Sequence, residues 1–135
     1  MNHVSRIFSY LMVFAALIMA GWGTLGFIEY FTGHAILMPL QNANFPSGTQ
    51  FLHWLIISVA GYTLLLGYFL RWKYTPNVMV GIFACLATMC FIQTFDFMTR
   101  EDRYSAYARE VIYYIIFSVY LLKSKLMQKH FGRIN

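Results

Sequence analysis

The sequence predicts an all-α integral membrane protein, a bundle of four transmembrane helices with the N-terminus and C-terminus cytoplasmic. Three observations carry that expectation. Across 135 residues, 59% are apolar and only 11% are charged, against about 25% charged in an ordinary soluble domain. Mean hydropathy is +0.56. Long apolar runs alternate with short basic or polar segments, and a helix of about 20 apolar residues suffices to cross a bilayer. This composition excludes a disordered tail or a fibrous repeat. Residues 1–135 read as a single membrane domain with no room for a sizeable soluble one.

The first run, Ile7 to Ile28, holds 22 residues without a charge after the basic Met1–Arg6 start. A cleaved leader has a shorter apolar core, about 7–15 residues, so the run is expected to be a retained helix over 7–28. Ala16, Ala20, Gly23 and Gly26 recur at three- and four-residue steps, which lets another helix approach closely. Packing within the chain is the expected use. Residues 29–50 then form an outer loop with Gly33, Pro39, Pro46 and Gly48 and no Lys or Arg. A loop this long in so small a chain is often functional.

The second span is expected over 51–70, with Trp54 near one end and Tyr68 and Trp72 near the other, as in an aromatic belt. A tight Arg71–Asn77 connection leads to a third span over 78–97, with Pro76 suited to the first turn. The fourth run is uninterrupted only from Val111 to Leu122, 12 residues, too short to span alone. It spans if the helix covers 104–127, with Lys123 and Lys125 snorkelling toward water.

Orientation follows from the basic residues. Seven (Arg6, Arg71, Lys73, Lys123, Lys125, Lys129, Arg133) fall on one side and three (Arg100, Arg103, Arg109) on the other. The positive-inside rule then places both termini in the cytoplasm, in a plasma membrane, or the inner membrane of a bacterium. The net charge of +5 is accounted for by lipid headgroups, so membrane lipids and not nucleic acid are the expected partners. A protein partner or a homo-oligomer stays open. The basic tail from Lys123, interleaved with Leu126, Met127, Phe131 and Ile134, is expected by default to lie on the cytoplasmic leaflet, with docking on a cytoplasmic partner as the alternative.

Each helix brings a polar group to the outer boundary. Glu29 ends the first and His53 lies near the start of the second. Gln93 and Asp96, three apart on one face, close the third, and Arg109 and Glu110 open the fourth. Charges at membrane depth are costly unless paired or hydrated. The leading expectation is a structural tie in which Arg109 pairs with Asp96 or Glu29. The alternative is a ligand-binding layer formed by Glu29, His53, Gln93, Asp96, Arg109 and Glu110, with His34, Asn42 and Asn44 closing over it.

Glu29, His53 and Asp96 are acceptable ligands for a first-row metal, but no H-x-x-x-H or E-x-x-H spacing is present, and the cofactor stays unassigned. A haem held by two axial histidines needs both at one depth, and His53 is the only histidine inside a span. Cys85 and Cys90 read as small buried apolar residues, not a redox pair. Ser58 and Ser118 are expected to bond to preceding carbonyls. No phosphate loop or dinucleotide fingerprint occurs. The primary functional reading is a non-enzymatic membrane subunit or binding module. The alternatives are a small membrane enzyme or metal-dependent protein at the outer leaflet, and an oligomeric transporter or channel component.

Overall fold

A computed structural model of the chain describes residues 3–134. It is all-helical, with no strand among the described residues. The helices are α1 (His3–Thr32), α2 (Ser47–Phe69), α3 (Thr75–Ile92), α4 (Arg103–Lys123) and α5 (Lys125–His130). A five-residue π-helical turn, Gln93–Phe97, continues α3. Three helical segments are long and apolar enough to cross a membrane: His3–Thr32, Ser47–Phe69 and Thr75–Phe97. α4 has 21 residues but carries Arg109 and Glu110 within them, and it does not meet that standard.

The helix boundaries differ from the sequence expectation in one consistent way. α1 and α2 extend into the expected 29–50 loop, leaving only residues 33–46 between them. Polar residues at the ends, Glu29 and Thr32 on one side and Ser47 to Gln50 on the other, continue the helices although they end the apolar runs. Pro46, at φ −56° and ψ 149°, is extended and sets the entry into α2. Pro76 sits in the first turn of α3, where its missing N–H leaves no bond unmade. α4 stops at Lys123 instead of continuing to 127, because Ser124 turns extended (ψ 125°).

α1 and α2 form the tightest pair. Ala16, Ala20, Gly23 and Gly26 are all buried, and they face α2 within this chain. A Cβ at Gly61 would collide with the backbone of Ala16 and Ala20, so the two helix backbones are nearly in contact. The buried core runs on through Leu64, Met79, Phe83, Leu86 and Leu121. Outward-facing positions are also apolar: Tyr10, Phe14, Leu17, Leu66, Ile112 and Ile116 are all exposed.

The turn between α2 and α3 closes with a Schellman motif. Arg71 N–H bonds to Tyr68 C=O and Trp72 N–H to Gly67 C=O. Arg71 takes the left-handed position, at φ 52°. At this end of the bundle the basic tail behaves differently from its expectation. It folds back onto the helices instead of lying flat. Met127 and Phe131 are each 1% exposed within the core. His130 Nε2–H donates to the Tyr68 carbonyl at 2.7 Å, and its ring stacks on Tyr68 at 4.2 Å.

Two smaller expectations are also corrected. Cys90 is buried but Cys85 is exposed, since five residues on a helix turn them to different faces. Ser58 Oγ has no hydrogen-bond partner; it is pressed against Gly23 instead of reaching a preceding carbonyl. The 33–46 loop lies at the opposite end, the loop end.

Candidate functional site

The loop end is built by side chains that hold a backbone segment in place. Gly26 faces α2, and a Cβ there would strike the Trp54 ring, so glycine lets the indole lie flat on α1. Trp54 Nε1–H then donates to Gln41 Oε1 at 3.1 Å. The Gln41 amide returns to the Gly26 carbonyl at 3.0 Å. One helical turn on, Glu29 is only 8% exposed. Its carboxylate accepts the Leu40 N–H at 2.7 Å and the Gln41 N–H at 3.4 Å. Gln50 pairs with both backbone groups of Asn42, and Asn42 Oδ1 accepts the Asn44 N–H. Residues 40–44 are thereby fixed as a roof.

Beneath the roof is a cavity of about 400 Å³. Its walls include Trp22 of α1, His53 and Trp54 of α2, Gln93 at the end of α3, and Arg103 and Glu110 of α4; Leu40, Asn42 and Phe45 line it from the loop. Gln93 is 2% exposed, and its Nε2–H donates to His53 Nδ1 at 2.9 Å. An amide nitrogen only donates, so the neutral His53 ring carries its proton on Nε2. No partner meets Gln93 Oε1 among the described residues. Thr94, 3% exposed, adds a hydroxyl to the same wall.

The charged groups divide into committed and uncommitted ones. Arg100 makes two contacts to Asp102, at 3.0 and 2.6 Å. These bonds hold the Asp102 carboxyl below its usual range. With side chains 73% and 48% exposed, the pair is a solvated one of small energetic consequence. Arg103 donates to the Arg100 carbonyl at 3.1 Å and the Tyr104 hydroxyl at 2.9 Å. Its Nε is buried without a partner. Among the described residues neither Arg103 nor Glu110 has an oppositely charged group within 4.0 Å.

Of the six layer residues read from the sequence, His53, Gln93 and Glu110 line the cavity. Glu29 does not line it and instead pins the roof. Asp96 and Arg109 are exposed and lie outside the lining. The expected tie of Arg109 to Asp96 or Glu29 is not formed: Arg100–Asp102 is the one ion pair among the described residues. Asp96 leaves the Gln93 face because the π-helical turn is wider than an α turn, so residues three apart no longer align. Glu29, His53 and Asp96 do not converge as metal ligands, and no three His, Cys, Asp or Glu side chains do so among the described residues. His34 is exposed in the loop, while Asn42 reaches the cavity and Asn44 supports it.

Sequence reasoning missed Arg103, Gln41, Gln50 and the inward use of Trp22 and Trp54. One signal for Arg103 was present: it precedes Glu110 by seven residues, two helical turns on one face. Comparison with known protein families, characterised proteins and solved structures finds no match for this chain.

Proposed function

We propose that this chain is a multi-pass membrane protein of the plasma membrane that works as a non-enzymatic binding module. In this reading α4 is a fourth span, and both termini are cytoplasmic. Support for the orientation comes from the seven-to-three division of Lys and Arg between the two ends. Support for the fourth span comes from its length, 21 residues, about 32 Å at 1.5 Å per residue. The loop end then faces the extracytoplasmic side, and the cavity lies at the depth of the outer headgroups.

The observation that carries the binding reading is the lining of the cavity. It combines aromatic walls with a few convergent polar groups, the usual make-up of a small-molecule site. Arg103 Nε is buried without a protein partner, and buried polar groups are rarely left so; Gln93 Oε1 also meets no protein donor among the described residues. A structural tie would have consumed these groups, whereas a binding site keeps them for a ligand. The test is purification of the full chain from its source membranes in native nanodiscs, followed by intact-particle mass spectrometry. A reproducible non-protein mass at near-unit stoichiometry is the expected result. A particle without one, at any degree of delipidation, overturns the binding reading. A stoichiometric second polypeptide seated at the loop end in place of that mass would also overturn it, in favour of a structural subunit.

A further inference from the structure

The cavity is roofed but not fully walled. α1 and α4 meet at the end distant from the loop. There Phe8 packs on Phe117 at 5.6 Å and on Tyr120 at 4.5 Å, and the Tyr120 hydroxyl donates to the Ser5 carbonyl at 2.6 Å. Toward the loop end no hydrogen bond or ring contact joins α1 to α4 among the described residues. There Trp22 is 39% exposed and Glu110 is exposed, yet both line the cavity. The cavity therefore opens sideways between α1 and α4, toward the surface where the outward-facing residues are apolar. The 40–44 roof, pinned by Glu29 and Gln50, covers part of the approach from the loop end, where Met38 and Arg100 also line the cavity and are exposed.

The charge inventory narrows what fits. Three charged side chains line the cavity: Arg100, Arg103 and Glu110. Arg100 is paired with Asp102; Arg103 is held by the Arg100 carbonyl and by the hydroxyl and ring of Tyr104, so among the described residues one cation, Arg103, and one anion, Glu110, stay without a counter-charge. Arg103 and Glu110 are seven residues apart on one helix face, about 10 Å along the axis, and both side chains are long enough to reach toward a common ligand. A purely anionic ligand would leave the Glu110 carboxylate opposed to like charge. A purely cationic one would leave Arg103 opposed. A ligand carrying both charges satisfies each, and like-charge juxtaposition is what discriminates among partners.

We propose that the cavity takes the headgroup of a zwitterionic aminophospholipid, entering from the bilayer between α1 and α4. The phosphate is bound by Arg103, whose planar fork suits phosphate oxygens. The ammonium is bound by the Glu110 carboxylate. Gln93 Oε1 offers a further acceptor for the ammonium, and Trp22 lies at the lateral opening beside the first acyl carbons. This inference rests on the proposal that the cavity is a binding site, and it names the ligand class for that site.

The test uses the full chain in mixed micelles holding phosphatidylethanolamine and phosphatidylglycerol at equal mole fraction. Progressive delipidation is followed by native mass spectrometry of the retained lipid. The expected result is a preference for phosphatidylethanolamine of roughly tenfold, the scale of one charge-assisted hydrogen bond. In Glu110→Gln, which keeps the side-chain shape, the preference falls to near unity. In Arg103→Gln both lipids are lost more readily, and Arg109→Gln, outside the cavity, behaves as the wild type. Equal retention of the two lipids, unmoved by Glu110→Gln, overturns the assignment. So does binding of water-soluble phosphoethanolamine as tightly as the lipid, which would point to a soluble ligand. If neither lipid is retained but the source-purified protein still carries a non-protein mass, only the lipid assignment fails. If both are absent, the binding reading fails with it.

Discussion

Gln93 Nε2 and His53 Nδ1 lie 2.9 Å apart, joining the π-helical end of α3 to the second turn of α2 between apolar flanks. The bond turns two conspicuous polar residues into one internal pair and fixes which imidazole nitrogen carries the proton. Gln93→Leu removes the donor and leaves Nδ1 buried without a partner, a loss of about 1–3 kcal/mol. The double variant His53→Leu/Gln93→Leu removes both groups and should recover most of that loss. Thermal unfolding of the wild type, both single variants and the double variant in one detergent measures the difference; additive destabilisation would show that the two residues act independently.

Glu29 holds the roof rather than the cavity. Its carboxylate accepts the Leu40 and Gln41 amides, and Glu29→Ala deprives both of their acceptor. Hydrogen exchange at these two amides should accelerate roughly 10- to 100-fold, the equivalent of about 1–3 kcal/mol of local opening. The amides of α3 should keep their protection. Unchanged exchange at Leu40 would mean that Gln41 and Gln50 suffice to hold the segment.

The α1–α2 contact is set by backbone proximity. Gly61→Leu forces side-chain volume against the Ala16 and Ala20 backbone and should destabilise the protein by about 1–3 kcal/mol, as overpacking does. Gly21→Leu is the control, because nothing lies within 4 Å of its added Cβ. Comparable melting of the two variants would contradict the packing described.

Arg71 takes the left-handed position of the α2–α3 turn at φ 52°, a conformation unfavourable for a side-chain-bearing residue by roughly 1–2 kcal/mol. Arg71→Gly relieves that cost and should raise the melting temperature despite the greater freedom of glycine when unfolded. A lower melting temperature would show that the Arg71 side chain makes a stabilising contribution larger than the backbone strain.

Burial of the tail predicts that Phe131→Ala destabilises by about 3–5 kcal/mol, as for other buried aromatics. Ile134→Ala, at a position 43% exposed, should change little. Equal, small effects at both positions would place the tail off the bundle.

The all-helical fold and its apolar helices were legible because 20-residue apolar runs leave few alternatives. Helix ends were less so: Glu29, Thr32 and Ser47 are polar yet helical, and polarity alone does not mark a boundary. The site was half legible. His53, Gln93 and Glu110 stand out as polar residues in or beside apolar runs, and they do line the cavity. Asp96 stands out equally but is turned away by a π-helical turn that carries no sequence signature. Glu29 bonds to backbone N–H groups, which sequence does not display. Arg103 falls beside the charged Arg100–Asp102 segment, where it reads as loop. Its inward position depends on where α4 begins.

Filling the cavity under the 40–44 roof tests whether it is a binding site. Ala106 lines it from α4 and is only partly exposed, so Ala106→Trp directs a large side chain into the space. The most direct measurement is the non-protein mass carried by this variant and by the wild type after identical purification from source membranes. Helix content and elution volume are checked on both samples. The variant is expected to stay folded and to lose the bound mass. A folded variant, with its indole seated in the cavity, that carries the same mass at the same occupancy would contradict the binding reading.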